Sequence, residues 1–194
     1  MSTITIEPAT AERFEDVQHA LAGGGDGRGC QCQWWMISNA EWNRTRRPDR
    51  QELLRAELAA EPAPALLAYA HGEAVGFVRV GPRPGHVRLA RSRAIAPHSP
   101  EPWDDPGVWT VSCFVTRREH RNQGLNARLL AAAIDHARAH GARAIEAYPI
   151  DTAVTERRAN DLFHGVLSTF LAAGFHEVAR PKPDLAIVEL DLAG

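Results

Sequence analysis

The spacing of apolar and polar residues changes period along the chain, and each change marks an element. Residues 3–7 alternate in the pattern of a half-buried strand, and Pro8 closes it. Thr10 fits the N-cap of a helix over residues 11–21. The run Gly23-Gly24-Gly25-Asp26-Gly27 interrupts regular structure, and an aromatic patch, Cys30-Gln31-Cys32-Gln33-Trp34-Trp35-Met36, comes after it. Pro48 suits the first turn of a second helix that reaches about residue 60, where Pro62 and Pro64 end it. Two β-rich runs, 65–70 and 74–80, flank a short glycine turn and predict a hairpin. Residues 81–102 are irregular and rich in Pro and Arg, and predict a long loop.

Residues 108–115, V-W-T-V-S-C-F-V, are the strongest strand. A helix is predicted over 125–140, where Leu130, Ile134 and Ala137 share a face with Leu129 and Ala133 beside them, and Gly141 ends it. Residues 144–148 form another strand. Phe163, Val166, Leu167, Phe170 and Leu171 fall on one face of a last helix that Gly174 stops. Two strands, 175–179 and 185–192, close the chain around Pro181-Lys182-Pro183. The order β-α-α-β-β, long loop, β-α-β-α-β-β predicts an α/β fold. Its sheet is mixed and mostly antiparallel around one parallel β-α-β unit with a right-handed crossover, and helices cover both faces.

Length and composition narrow the function. The 194 residues fit a single domain over 1–194. Charges nearly cancel, with 22 basic and 24 acidic residues, so no basic field invites nucleic acid. No apolar run approaches the ~18 residues of a membrane span. The opening MSTITIEPAT is not built like a signal peptide, and the cysteine count of three is odd, which predicts a cytoplasmic protein with free thiols. Cys30 and Cys32 lack the further ligands a metal site needs, so no metal is expected.

The chemistry concentrates where strand 108–115 meets helix 125–140. The loop Arg121-Asn122-Gln123-Gly124-Leu125-Asn126 delivers backbone N–H groups to the start of a long helix, an end with free donors and partial positive charge. Such a junction can hold a phosphate or pyrophosphate, with Gly124 allowing close approach and Arg121 adding charge or bracing the loop. Glu146 and Tyr148 alternate onto one face of their strand, which makes them a candidate proton-handling pair. Trp34 and Trp35 are candidates to wall an acceptor pocket, with core packing as the alternative. Arg91 and Arg93, with Arg88, form a basic stripe. It suits a substrate carboxylate, a nucleotide phosphate, or ion pairs with Asp104 and Asp105. Cys113 is either a packed thiol or an acyl carrier.

The segment F-V-T-R-R-E-H-R-N-Q-G-L-N-A-R-L-L resembles motif A of the GNAT N-acetyltransferase superfamily, in which Arg or Gln is followed after two residues by Gly and, after one more, by Gly or Ala. Arg121 and Gly124 match, and Asn126 stands at the last position. The predicted element order resembles that fold along the whole chain. C-x-C-x-x-W at 30–35, L-A-R-S-R at 89–93, and E-A-Y-P-I-D at 146–151 resemble one bacterial branch.

The resemblance implies acetyl-CoA as co-substrate, its pantetheine paired with the backbone of Cys113, Phe114 and Val115 and its pyrophosphate on the backbone of residues 122–126, beside Arg121. It implies direct acetyl transfer to an amine. The long 81–102 loop and the Trp-rich patch, read as covers of a small pocket, favour a primary amine of a small molecule such as an antibiotic or an amino-acid-like metabolite, and a monomer or homodimer is expected. A non-catalytic acyl-CoA-binding domain and a protein N-acetyltransferase are the alternatives. The family's tyrosine acid, four residues before the last helix-ending glycine, is replaced by Phe170. That directs the search for catalytic groups to Glu146, Tyr148 and Ser168.

Overall fold

The structure is a computed structural model that describes residues 4–193. A seven-stranded sheet runs through it: β1 (Ile4–Pro8), β2 (Ala65–Ala70), β3 (Glu73–Pro82), β4 (Val108–Thr116), β5 (Ala144–Ala147), β6 (His176–Lys182) and β7 (Leu185–Asp191), in the spatial order β1-β2-β3-β4-β5-β7-β6. The one parallel pair is β4–β5, joined by helix α5 (Leu125–Ala139), and every other pairing is antiparallel. The helices before β2 are α1 (Phe14–Ala22), α2 (Gly27–Cys30), α3 (Asn39–Arg44) and α4 (Arg47–Glu57), and α6 (Leu167–Ala172) precedes β6. No helix among the described residues is long and apolar enough to cross a membrane.

Strand alternation divides the core. On one side Phe114 and Val111 of β4 pack with Leu125, Leu129, Leu130 and Ile134 of α5 and with Phe170 of α6. On the other, Cys113 and Val115 pack with Phe77 and with Phe14, Val17 and Leu21 of α1. Each fully buried Leu or Phe contributes roughly 1.5–3 kcal/mol, so these two layers fix β4 from both faces.

Two features of β4 open a gap in the middle of the sheet. The β3–β4 register slips between Arg79 opposite Cys113 and Val80 opposite Val111, which leaves Ser112 as an extra residue, a β-bulge that bends the strand. Parallel pairing with β5 covers only 108–111 against 144–147. Beyond it the two strands part, and Phe114 N–H donates instead to the Phe163 carbonyl at 2.7 Å.

The elements depart from the expected ones at several points: β3 continues through Gly81 and Pro82, Tyr148 lies just past β5, and β6 runs through Pro181 to Lys182. Thr3, the expected start of the first strand, lies outside the described residues, and Pro8 belongs to the strand and pairs with Leu66. α2 and α3 have no counterparts among the predicted elements, although for α3 Ser38 and Glu41 form a capping box and the S-x-x-E spacing is visible in the sequence. The last helix starts at Leu167, so Phe163 and Val166 lie outside it. Gly165 adopts φ +84°, and the Gly165 and Phe163 carbonyls accept from Ile150 and Phe114, so tertiary pairing takes over the helix's first turn. Leu171, expected in the core, is about half exposed.

Candidate functional site

Where β4 leaves β5, a cleft of about 910 Å³ opens, within the range of roughly 300–1,000 Å³ typical of small-molecule sites. Its floor is residues 113–116 of β4. One end is the loop into α5, the facing wall is residues 159–163 with Val166 and Thr169, and the opposite wall is the segment from Gly24 to Trp35 with Trp42 and Arg50.

The loop into α5 is built to receive an anion. Asn122 and Gly124 both take left-handed backbone, φ +59° and +73°, and such alternation gathers successive N–H groups on one side. Asn tolerates this conformation better than most residues, and Gly needs no tolerance. Gly124 is the N-cap of α5, and no side chain caps the helix, so its first N–H groups stay available. Arg121 braces this loop: its Nε donates to the Thr116 carbonyl at 3.3 Å, and its guanidinium lies so close to Gly24 that a Cβ there would come within 2.6 Å of it. Asn126, where the motif usually has Gly or Ala, is not a loose side chain. The Thr116 hydroxyl donates to its Oδ1 at 2.7 Å, which leaves the amide NH₂ as the free end. Gln123 does not line the cleft; its amide donates to the Glu119 carbonyl at 3.2 Å.

The expected backbone pairing along β4 is narrower than the sequence reading. Phe114 N–H points to the cleft side, so Cys113 and Val115 on either side direct their N–H groups to β3. Their side chains line the cleft all the same.

The aromatic wall holds more than the two tryptophans picked from sequence. Trp34 meets Trp42 edge-on at 5.0 Å and Trp35 at 6.3 Å, and all three line the cleft. The Arg88 guanidinium stacks 3.9 Å over Trp34, and Arg50 stacks 3.4 Å over Trp42. Arg91 and Arg93 are exposed and lie outside the cleft. That corrects their expected placement: the stripe's inward member is Arg88, held by the Ile37 and Ser38 carbonyls. Asp105 instead pairs with Arg143.

The three catalytic candidates also sit elsewhere than expected. Glu146 and Tyr148 do share a face and touch, the Tyr148 hydroxyl donating to Glu146 Oε1 at 2.5 Å. Both are buried behind the cleft. Arg83 donates to the same Oε1 at 2.7 Å, and Ser99 donates to Oε2 at 2.7 Å. Burial, then the Glu146 charge, push the Tyr148 hydroxyl well above its ordinary pKa. Glu146 thus accepts three hydrogen bonds in a site closed off from the cleft. Ser168 is exposed, and its neighbour Thr169 lines the cleft in its place. Phe170, at the tyrosine position, is wholly buried against Phe114 and Phe175. Among the described residues no cluster of three or more His, Cys, Asp or Glu side chains could hold a metal.

The bulge that opens the cleft has its own support. His86 is buried and its Nε2 lies 3.1 Å from the Ser112 hydroxyl. Burial, reinforced by the Arg79 charge, pushes its pKa down to about 3. An unfolded chain takes up that proton near pH 6.5, so this ring's contribution is complete above pH 6.5 and is lost as pH falls toward 3. Urea unfolding is expected to lose about 2 kcal/mol from His86 between pH 6.5 and 5. His86→Gln should flatten the pH slope by that amount, and an unchanged slope would show that the ring protonates freely in the fold.

The sequence matches the profile of the acetyltransferase (GNAT) family over residues 32–165. No curated protein matches it significantly. Solved structures share the fold at low identity. The PaiA N-acetyltransferase of Thermoplasma acidophilum, solved with coenzyme A, is 14% identical over 97% of this chain and 99% of its own, with a TM-score of 0.56. The ribosomal-protein-S18-alanine N-acetyltransferase of Escherichia coli is 13% identical over 99% and 96%, at 0.55. The diaminobutyrate acetyltransferase EctA of Paenibacillus lautus, solved with L-2,4-diaminobutyric acid and coenzyme A, is 13% identical over 100% and 98%, at 0.54.

Proposed function

The chain belongs to the GNAT acetyltransferase family, and we propose that it moves the acetyl group of acetyl-CoA directly onto a primary amine of a small molecule bound in the tryptophan-walled half of the cleft. One observation carries this reading: the gap where β4 leaves β5 and the uncapped start of α5 line the same cleft. The pyrophosphate then lies on the N–H groups of residues 122–126 and the Asn126 amide. The pantetheine arm runs along β4, where its amide replaces the Phe163 carbonyl as partner of Phe114 N–H.

The amine attacks the thioester carbonyl in its neutral form, its proton passes to water, and CoA leaves as the thiolate. Holding amine and thioester in line supplies much of the acceleration, up to ~7–11 kcal/mol for ideal geometry. With Phe170 unable to donate, we assign the hydrogen bond to the departing sulfur to the Thr169 hydroxyl, because Thr169 is the α6 residue that lines the cleft. Thr169→Val is expected to lower kcat about tenfold with KM for acetyl-CoA little changed, since one neutral hydrogen bond contributes about 0.5–1.5 kcal/mol. Unchanged kcat would remove Thr169 from the mechanism.

The three tryptophans favour an amine with an apolar or aromatic body. Residues 159–163 close the facing wall, which suits a compact acceptor better than a peptide chain. The missing tyrosine acid keeps one other reading open, a domain that binds acyl-CoA without turnover. Free thiol release, followed with acetyl-CoA and a panel of aliphatic, aromatic and amino-acid amines, separates the two. Amine-dependent release supports transfer, whereas saturable binding with no release across the panel supports the binding module.

A further inference from the structure

Acetyl transfer leaves the three cleft thiols of Cys30, Cys32 and Cys113 without a role. Two of them meet. Cys32 and Cys113 stand 81 positions apart in sequence, yet the Cys32 thiol donates to the Cys113 sulfur at 3.2 Å. The approach is imposed by the backbone. Gln31 and Cys32 take successive left-handed conformations, φ +53° and +52°, which are uncommon for residues other than glycine. They curl the segment after α2 inward until Cys32 reaches β4. A disulfide bond is about 2.05 Å long, so bonding these sulfurs asks for little more than an ångström of movement.

Donation to Cys113, then burial, holds the Cys32 thiol well above its ordinary pKa, so Cys113, which accepts that bond and faces the cleft, is the sulfur placed to react first. Arg79, buried and paired in register with Cys113, places positive charge close enough to act on both sulfurs. The cleft gives a small oxidant a path to Cys113, the more exposed of the two at 8% against 3%.

We propose that Cys32 and Cys113 form a redox modification site, a dithiol that a hydroperoxide converts to an intramolecular disulfide. The Cys113 sulfur attacks the peroxide O–O bond, giving a sulfenic acid and one water from hydrogen peroxide. The Cys32 sulfur then displaces hydroxide from the sulfenic sulfur, and with the thiol proton this leaves as a second water. Both sulfurs are oxidised, the peroxide is reduced, and a dithiol reductant reverses the bond. The disulfide ties the wall that carries Trp34 and Trp35 to the floor of the cleft.

The test uses the full chain, reduced and without acyl-CoA, treated with stoichiometric hydrogen peroxide and then alkylated under denaturing conditions. The expected result is one alkylated thiol, Cys30, and a mass lower by two hydrogens before alkylation. A peptide map should link Cys32 to Cys113, and dithiothreitol should undo the link. Closing so long a loop should raise the thermal midpoint by about 10 °C, a rise absent from Cys32→Ala. Three alkylated thiols after peroxide, a link through Cys30, or a link between two chains would each overturn the proposal. The mass of the wild-type chain decides it even if the variant folds poorly. Because no acyl-CoA enters the assay, failure leaves the acetyl-transfer reading untouched.

Discussion

Asn126→Asp is expected to weaken acetyl-CoA binding about a hundredfold while leaving the free protein as stable as before, or more so. The substitution changes one amide to a carboxylate and keeps the shape. The Thr116 hydroxyl can still donate to the retained oxygen. Residue 126 lies in the first turn of α5, where a negative charge interacts favourably with the helix dipole by about 0.3–1 kcal/mol. A pyrophosphate on the same loop meets that charge as a repulsion. At roughly 5 Å and an effective dielectric near 20, the cost is about 3 kcal/mol, which is about two orders of magnitude in Kd. Thermal melting without ligand and calorimetric titration with acetyl-CoA read the two effects separately. A variant that binds as tightly as the wild type would remove the pyrophosphate from this loop.

Glu146→Ala should act in the opposite sense, with a large loss of stability and little loss of catalysis per folded molecule. Arg83 and Glu146 are wholly buried and face each other at 2.7 Å. Arg83 is also held by the Ser99 hydroxyl, the Glu101 and Pro102 carbonyls and the face of Trp103, and none of these four groups carries compensating charge. Stranding a buried guanidinium costs about 3–5 kcal/mol, or a fall of about 10 °C in Tm for a chain of this length. Tyr148 loses its acceptor in the same step. The double variant Arg83→Met with Glu146→Leu should recover part of the loss, since it removes both charges together. In the cold, where Glu146→Ala remains folded, kcat should stay within about fivefold of wild type. A base acting on the substrate would be worth about 10²–10⁴-fold, so a loss of that size would return Glu146 to the chemistry.

Much of the frame is legible in the sequence because the signals are local. The β4 run, the glycine before α5 and the apolar stripe of Leu129, Leu130, Ala133 and Ile134 each report on their own neighbourhood. What sequence does not carry is partnership at a distance. Arg83 lies in a stretch that reads as an irregular basic loop, and its partner is 63 residues away. Glu146 and Tyr148 therefore look free to work on substrate until the loop is seen folded over them. Arg88, Arg91 and Arg93 look equivalent as a stripe, yet Arg88 alone turns inward onto Trp34. The last helix fails for a related reason: its apolar period continues back to Phe163, but carbonyls in that turn are claimed by β4 and Ile150. Thr169 is hidden behind the more obvious absence at Phe170. The contact between Cys32 and Cys113 cannot be read from the C-x-C spacing at all.

Acetyl-CoA bound as proposed lies with its pyrophosphate on residues 122–126 and its pantetheine along β4. Amide hydrogen exchange of the wild-type chain, with and without saturating acetyl-CoA, tests it most directly. The N–H groups at the start of α5 have no acceptor in the helix, so they should exchange fast in the free protein. Strong slowing is expected at residues 122–126, with added protection at Thr116, whose N–H alternates with Val115 onto the cleft side of β4. Protection confined to other segments, with 122–126 still exchanging at the free rate, would contradict it.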